Sequence, residues 1–77
     1  MKDKIYEILK TIRPEFDFYG SEDFIEDGYL DSFDVVSVVD ALEKAFEVII
    51  DGVEITPENF CNVEAIETLV NKSEKRA

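Results

Sequence analysis

Ser32-Phe33-Asp34-Val35-Val36-Ser37-Val38-Val39-Asp40-Ala41-Leu42-Glu43-Lys44-Ala45-Phe46 decides the fold of this chain. Placed at 100° per residue, Val35, Val38, Val39, Leu42, Ala45 and Phe46 share one broad arc, wide enough to be covered by two neighbouring elements. A helix over Ser32 to Glu47 is therefore expected at the centre of the molecule. The opposite face gathers Ser37, Asp40, Glu43, Lys44 and Glu47, together with an aromatic, Phe33, and with Val36 at its border. Just ahead stands Gly28-Tyr29-Leu30-Asp31, in which Asp31 has Asp34 three residues on, a capping box written with carboxylates. If Asp31 is the N-cap, Ser32 is the first helical residue and its hydroxyl is not needed to cap the backbone. The free N–H groups and the positive dipole end of the helix then favour an anion beside it.

Outward from that helix the chain divides into short elements. Ile5, Ile8, Leu9 and Ile12 recur at helical spacing while Lys2, Lys4, Glu7 and Lys10 stay solvated, predicting a helix from Lys2 to Arg13 that Pro14 ends. From Pro14 to Asp31 runs a connection longer than most in small domains, with Phe16, Phe18, Tyr19, Phe24 and Ile25 available to anchor it and at most one helical turn near Ser21 to Phe24. Beyond Phe46, Val48 to Ile55 contains Asp51-Gly52, a favoured hairpin turn. Arms of about three residues make an isolated hairpin marginal, so a loop is expected, with Ile50 or Ile55 plugging the core. Thr56-Pro57-Glu58 reads as the cap and first turn of a short helix. Asn62 reads as a fresh N-cap for Val63, Ile66, Leu69 and Val70, with Cys61 stapling to Ile66, and this last helix extends to Ser73. Lys72, Lys75 and Arg76 then suit a helix C-terminus. The expected fold is all-α, a small four-helix bundle of three principal helices plus one short helix, with a long first loop, in a single domain over residues 1–77.

Composition narrows the function. A chain that is 45% hydrophobic with three Tyr and six Phe is too apolar for a disordered acidic tail. A net charge of −11, from 19 acidic and 8 basic residues, opposes nucleic acid and anionic membranes and favours partners with basic patches. The lone Cys61 makes no internal disulfide and is expected as a small core residue. Met1-Lys2-Asp3-Lys4-Ile5 is too polar to lead into a signal-peptide core and no apolar run has transmembrane length, so a cytoplasmic monomer without membrane insertion is expected. The chain has no histidine, which rules out a Ser-His-Asp triad and removes the commonest metal ligand; no catalytic residue and no metal site is assigned.

Gly28-Tyr29-Leu30-Asp31-Ser32-Phe33-Asp34 resembles the Asp-Ser-Leu attachment motif of the acyl and peptidyl carrier proteins, with Phe33 where leucine is usual. The resemblance extends over nearly the whole chain: opening amphipathic helix, long loop, motif, the Ala41-Leu42-Glu43 to Phe46 segment, and a closing stretch from Ile55 to Leu69. It implies that Ser32 receives 4′-phosphopantetheine from coenzyme A through a phosphopantetheinyl transferase whose magnesium Asp31 helps to hold. It further implies that acyl or aminoacyl groups ride on that arm as thioesters, loaded by an adenylating ligase or an acyltransferase. Synthases and transferases with basic docking patches would read the face carrying Phe33, Val36, Ser37, Asp40, Glu43, Lys44 and Glu47. Carriers of fatty acid synthesis commonly show acidic residues at the positions of Ser37 and Lys44 and an apolar one at Asp40, so a specialised lipid, polyketide or peptide pathway is implied instead.

Two other classes remain open at this level. Asp23, Asp27, Gly28, Asp31 and Asp34 occupy the first, fifth, sixth, ninth and twelfth places of an EF-hand calcium loop, with Leu30 as the apolar eighth. Against it, Ile25 stands where a third-place oxygen is needed, the final glutamate is shortened to aspartate, and Gly20-Ser21 breaks the entering helix. A helical interaction module without cofactor is the third class, and Asp34, Asp40, Glu43 and Glu47 also fit a plain solvated face.

Overall fold

Three helices form from the three apolar stripes. The computed structural model describes residues 1–76. Helix α1 spans Lys2–Ile12 and buries Ile5, Ile8 and Leu9. It stops because the residue before Pro14 is forced out of helical geometry: Arg13 has φ −132° and ψ 76°. Helix α2 spans Ser32–Phe46 and buries Val35, Val38, Val39 and Leu42, and helix α3 spans Val63–Lys72 with Val63, Ile66, Leu69 and Val70 inward. Helix α1 packs against both α2 and α3. Asn62 caps α3 as its position predicts, its Oδ1 accepting the Ala65 N–H at 2.7 Å.

The expected four-helix bundle is not what forms. The segment after Pro57 is a single 3-10 turn, Pro57–Asn59, and the Thr56 side chain makes no capping bond. The reason is local crowding of fixed points. Phe60, fully buried, must enter the core, the Asn59 amide donates to the Glu54 carbonyl at 2.7 Å, and Asn62 already begins α3. No length remains for an α-helix.

A small antiparallel sheet completes the fold, pairing β1, Val48–Ile49, with β2, Glu74–Lys75. Val48 lies opposite Lys75 and Ile49 opposite Glu74, and the ladder is extended by the Arg76 N–H donating to the Glu47 carbonyl at 2.8 Å. Lys75, expected to suit a helix C-terminus, therefore lies in a strand. Asp51-Gly52 does not turn a hairpin; it opens a 3-10 turn over Gly52–Glu54 with the Asp51 carboxylate accepting the Val53 N–H. Of the two candidate plugs, Ile50 fills the core at 6% exposure while Ile55 stays 37% exposed.

The long first loop is held by rings. Phe18 and Phe24 are buried and meet edge to face with centroids 5.0 Å apart, and Phe16 stacks on Tyr29 at 4.4 Å. Tyr19, expected as an anchor, is 71% exposed and lies against Tyr6 of α1 instead. Backbone bonds fix the end of the loop: the Phe24 carbonyl accepts both Tyr29 and Leu30 N–H groups, and Gly28 supplies the positive φ of 76° that this reversal requires. Leu30, buried beside these rings, delivers the chain to the start of α2.

Candidate functional site

The start of α2 is a closed capping box. The Asp34 N–H donates to Asp31 Oδ1 at 2.8 Å, and the Asp31 N–H donates to Asp34 Oδ2 at 3.0 Å. Both carboxylates thus satisfy backbone donors that the helix cannot. Ser32 is the first helical residue and is exposed. With the cap filled by Asp31, its hydroxyl has no capping role.

A residue that local sequence reading misses stands behind this box. Arg13, immediately after α1, directs three guanidinium nitrogens at three carboxylates: Nε to Asp34 Oδ2 at 2.9 Å, Nη1 to Glu15 Oε2 at 2.9 Å, and Nη2 to Asp31 Oδ2 at 3.4 Å. The Asp34 side chain is 13% exposed and that of Asp31 is 56% exposed. Burial alone would push the Asp34 carboxyl up. The bonds it accepts from the Asp31 N–H and from the Arg13 guanidinium outweigh that and hold it below the usual carboxylate range. Arg13 is in turn pushed up by its hydrogen bonds to Asp34 and Glu15, against a smaller burial effect. The available clue in the sequence is a lone basic residue before Pro14, at the point where a helix must end. Glu15 is two positions away, but the partners in the capping box, Asp31 and Asp34, lie 18 and 21 positions away, beyond any local pattern.

Beside Ser32 opens a groove of about 320 Å3 whose walls include Ile25, Leu30, Val35, Val36 and Ile55. Val36, in its wall, is 64% exposed, and Phe33, next to Ser32 in the chain, is 83% exposed. The remaining residues of the expected partner face divide into two kinds. Ser37, Asp40, Lys44 and Glu47 are exposed, with Asp40 and Lys44 joined at 3.1 Å one helical turn apart. Glu43 is half-buried and has a structural partner, its Oε2 accepting the Ile50 N–H at 2.9 Å. Glu47 closes α2 in the left-handed region at φ 54°. The arc of buried residues shifts slightly from expectation, since Ala45 is exposed and Ala41 packs partly inward.

The carboxylates of the EF-hand reading do not converge. Asp23 Oδ1 accepts the Ile25 and Glu26 N–H groups, Asp27 Oδ2 accepts the Ser21 hydroxyl at 2.6 Å, and Asp31 and Asp34 are committed to each other and to Arg13. Among the described residues no group of three or more acidic, cysteine or histidine side chains is arranged to hold a metal ion. Cys61 is half-buried rather than in the core, its thiol donating to the Glu58 carbonyl at 3.3 Å. No helix among the described residues is long and apolar enough to cross a membrane.

No protein-family model matches the chain, and neither a curated protein nor a solved structure matches it. What stands is a small, compact, mainly helical module with an exposed serine at the first position of its longest helix.

Proposed function

We propose that the chain is a carrier protein whose Ser32 accepts 4′-phosphopantetheine and which presents acyl or aminoacyl groups to partner enzymes. The observation that carries this reading is the exposed Ser32 at the start of α2 with its capping duty taken over by Asp31. It stands beside the sequence resemblance of Gly28 to Asp34. The residues present fit the group. An exposed hydroxyl offers the attachment point, the N-terminal end of a 15-residue helix favours a phosphodiester, and the apolar groove next to it suits the gem-dimethyl and methylene parts of the arm.

In the modification, Ser32 Oγ forms a bond to the phosphorus that bears pantetheine in coenzyme A. The phosphorus–oxygen bond of the pyrophosphate link breaks, adenosine 3′,5′-bisphosphate departs, and the hydroxyl proton passes to a base supplied by the transferase. This chain has no histidine to take it. Once attached, the group supplies a thiol on a flexible tether, on which cargo is held as a thioester and presented at high effective concentration. The exposed Phe33 and Val36, flanked by Ser37, Asp40, Lys44 and Glu47 in a chain of net charge −11, form a surface suited to enzymes with basic docking patches.

The same exposed Phe33 and Val36 favour a second reading, a helical interaction module that bears no cofactor. One experiment separates the two. After incubation with coenzyme A, magnesium and a broad-specificity phosphopantetheinyl transferase, a carrier gains the mass of one phosphopantetheinyl group and Ser32→Ala gains none. An interaction module leaves both masses unchanged.

A further inference from the structure

We propose that Arg13 is the positioning residue of the Ser32 site, holding the two carboxylates that flank the serine so that Asp31 alone is turned toward an incoming modifying enzyme. The inference rests on the carrier reading above and goes beyond it in assigning a role to a residue from a different helix.

The geometry of the guanidinium is the starting point. Its fork is planar and presents donors in fixed directions, and here three nitrogens are each bonded to a different carboxylate, from Asp34, Glu15 and Asp31. The bonds are unequal. Asp34 takes the short one, at 2.9 Å, through the same oxygen that accepts the Asp31 N–H, and its side chain is nearly covered. Asp31 takes the long one, at 3.4 Å, and remains more than half exposed. Arg13 therefore anchors Asp34 inward and leaves Asp31 presented outward, on either side of Ser32 in the sequence.

The location of Arg13 has two further effects. It directly follows α1, whose Ile5 and Leu9 are fully buried, so the first turn of α2 is tied to a packed helix rather than left to the flanking loop. It also brings one positive charge among three carboxylates, at the place where a phosphodiester would add a further negative charge. Without Arg13, Asp34 loses its side-chain partner and the two carboxylates are held by the backbone bonds of the capping box alone, with no positive charge between them to offset the repulsion an incoming phosphoryl group meets. A lysine restores the charge but bonds as a point and lacks the planar fork, so it does not hold three carboxylates in this arrangement.

The test is the kinetics of phosphopantetheine transfer to the full chain, followed by intact mass, for wild type, Arg13→Gln and Arg13→Lys, with NMR titration of the Asp34 carboxyl in each. A misplacement on the order of 1 Å at a reacting group costs up to about 100-fold, so kcat for Arg13→Gln is expected to fall by about tenfold or more. KM for the carrier does not rise, because removing a cation leaves the chain more attractive to a basic enzyme. Arg13→Lys is expected to remain below wild type in kcat, and the Asp34 titration to move upward in Arg13→Gln. A residue that only stabilised the fold would give the opposite split, with kcat kept and apparent KM raised as folded carrier became scarce. Wild-type kcat in both variants overturns the positioning role while leaving Ser32 as an attachment site. A wild-type chain that no competent transferase modifies overturns the carrier reading, and the positioning role with it. Should Arg13→Gln fail to fold, Arg13→Lys and the wild-type Asp34 titration decide: wild-type kcat in Arg13→Lys, or an Asp34 carboxyl titrating at its ordinary value, refutes the proposal.

Discussion

Replacing Asp31 and Ser32 in turn separates the residue that holds the helix from the residue that is free. Asp31 caps α2 through the Asp34 N–H at 2.8 Å and belongs to a reciprocal box. Loss of such a cap costs about 1 kcal/mol, within a range of about 0.5–2. Against a total stability of about 4–12 kcal/mol for a chain of this size, that is a measurable fraction. With a urea m-value of about 1 kcal/mol/M, Asp31→Ala is expected to lower the unfolding midpoint by about 1 M. In a thermal scan the same loss lowers Tm by about 4–8 °C. Ser32→Ala removes a hydroxyl that caps nothing, at an exposed first helical position, and alanine is the better helix former. The expected change is a gain of about 0.5 kcal/mol or less. Asp31→Asn, which retains a side-chain oxygen able to cap, should fall nearer to wild type than Asp31→Ala. Circular dichroism during urea titration of the four proteins is sufficient. If Ser32→Ala lowers the midpoint as much as Asp31→Ala, the serine oxygen is engaged by the helix and the reasoning behind a free hydroxyl is refuted.

Asp34 has a carboxyl held below its ordinary value of 3.8, so its contribution to stability is present above that pH and is lost as pH falls through the lowered folded value. Urea midpoints measured between about pH 2 and pH 6 should show a steeper acid loss in wild type than in Asp34→Asn, and identical curves would contradict the assignment. Ile50 is the core plug and Ile55 is not; Ile50→Ala is expected to cost about 2–5 kcal/mol and Ile55→Ala about 1 kcal/mol or less, measured by the same denaturation, and equal losses would contradict the packing described. Phe33, at 83% exposure, contributes little to folding, so Phe33→Ser should leave stability within about 0.5 kcal/mol while raising the transferase KM by about tenfold, a typical effect of losing an apolar anchor; an unchanged KM would remove Phe33 from the partner surface.

Much of the fold is readable where the pattern is local. The spacing of Val35, Val38, Val39 and Leu42 defines α2, the Asp31 and Asp34 pair defines its start, and Pro14 marks the end of α1, whose last helical residue is Ile12. Asn62 likewise marks α3. What escapes depends on partners far along the chain. Strand β1 forms because Glu74 and Lys75 come back to it, and neither segment has enough length or alternation to announce a strand. The short helix after Pro57 is a local signal that tertiary demands override, since Phe60 and Asn59 are both committed elsewhere. Ala45 fails for a subtler reason: a helical wheel gives direction around the axis, whereas burial also depends on whether a neighbour reaches that level, and here Ala41 packs inward while Ala45 is exposed.

The candidate site divides in the same way. The exposed serine and its capping neighbour can be read from a seven-residue stretch, while the Arg13 clamp spans two helices and a loop. Glu43 shows the limit of reading a face by its charge. From the sequence it belongs with Asp40 and Glu47 on a solvated surface, and in the structure its carboxylate is bonded to the Ile50 N–H, where it helps to hold the core plug.

Intact-mass spectrometry of the wild-type chain and Ser32→Ala, after incubation with coenzyme A, magnesium and a phosphopantetheinyl transferase of broad specificity, tests the carrier reading most directly. The account predicts one added phosphopantetheinyl group on wild type and none on Ser32→Ala. An unmodified wild-type chain, or equal modification of both proteins, would contradict it.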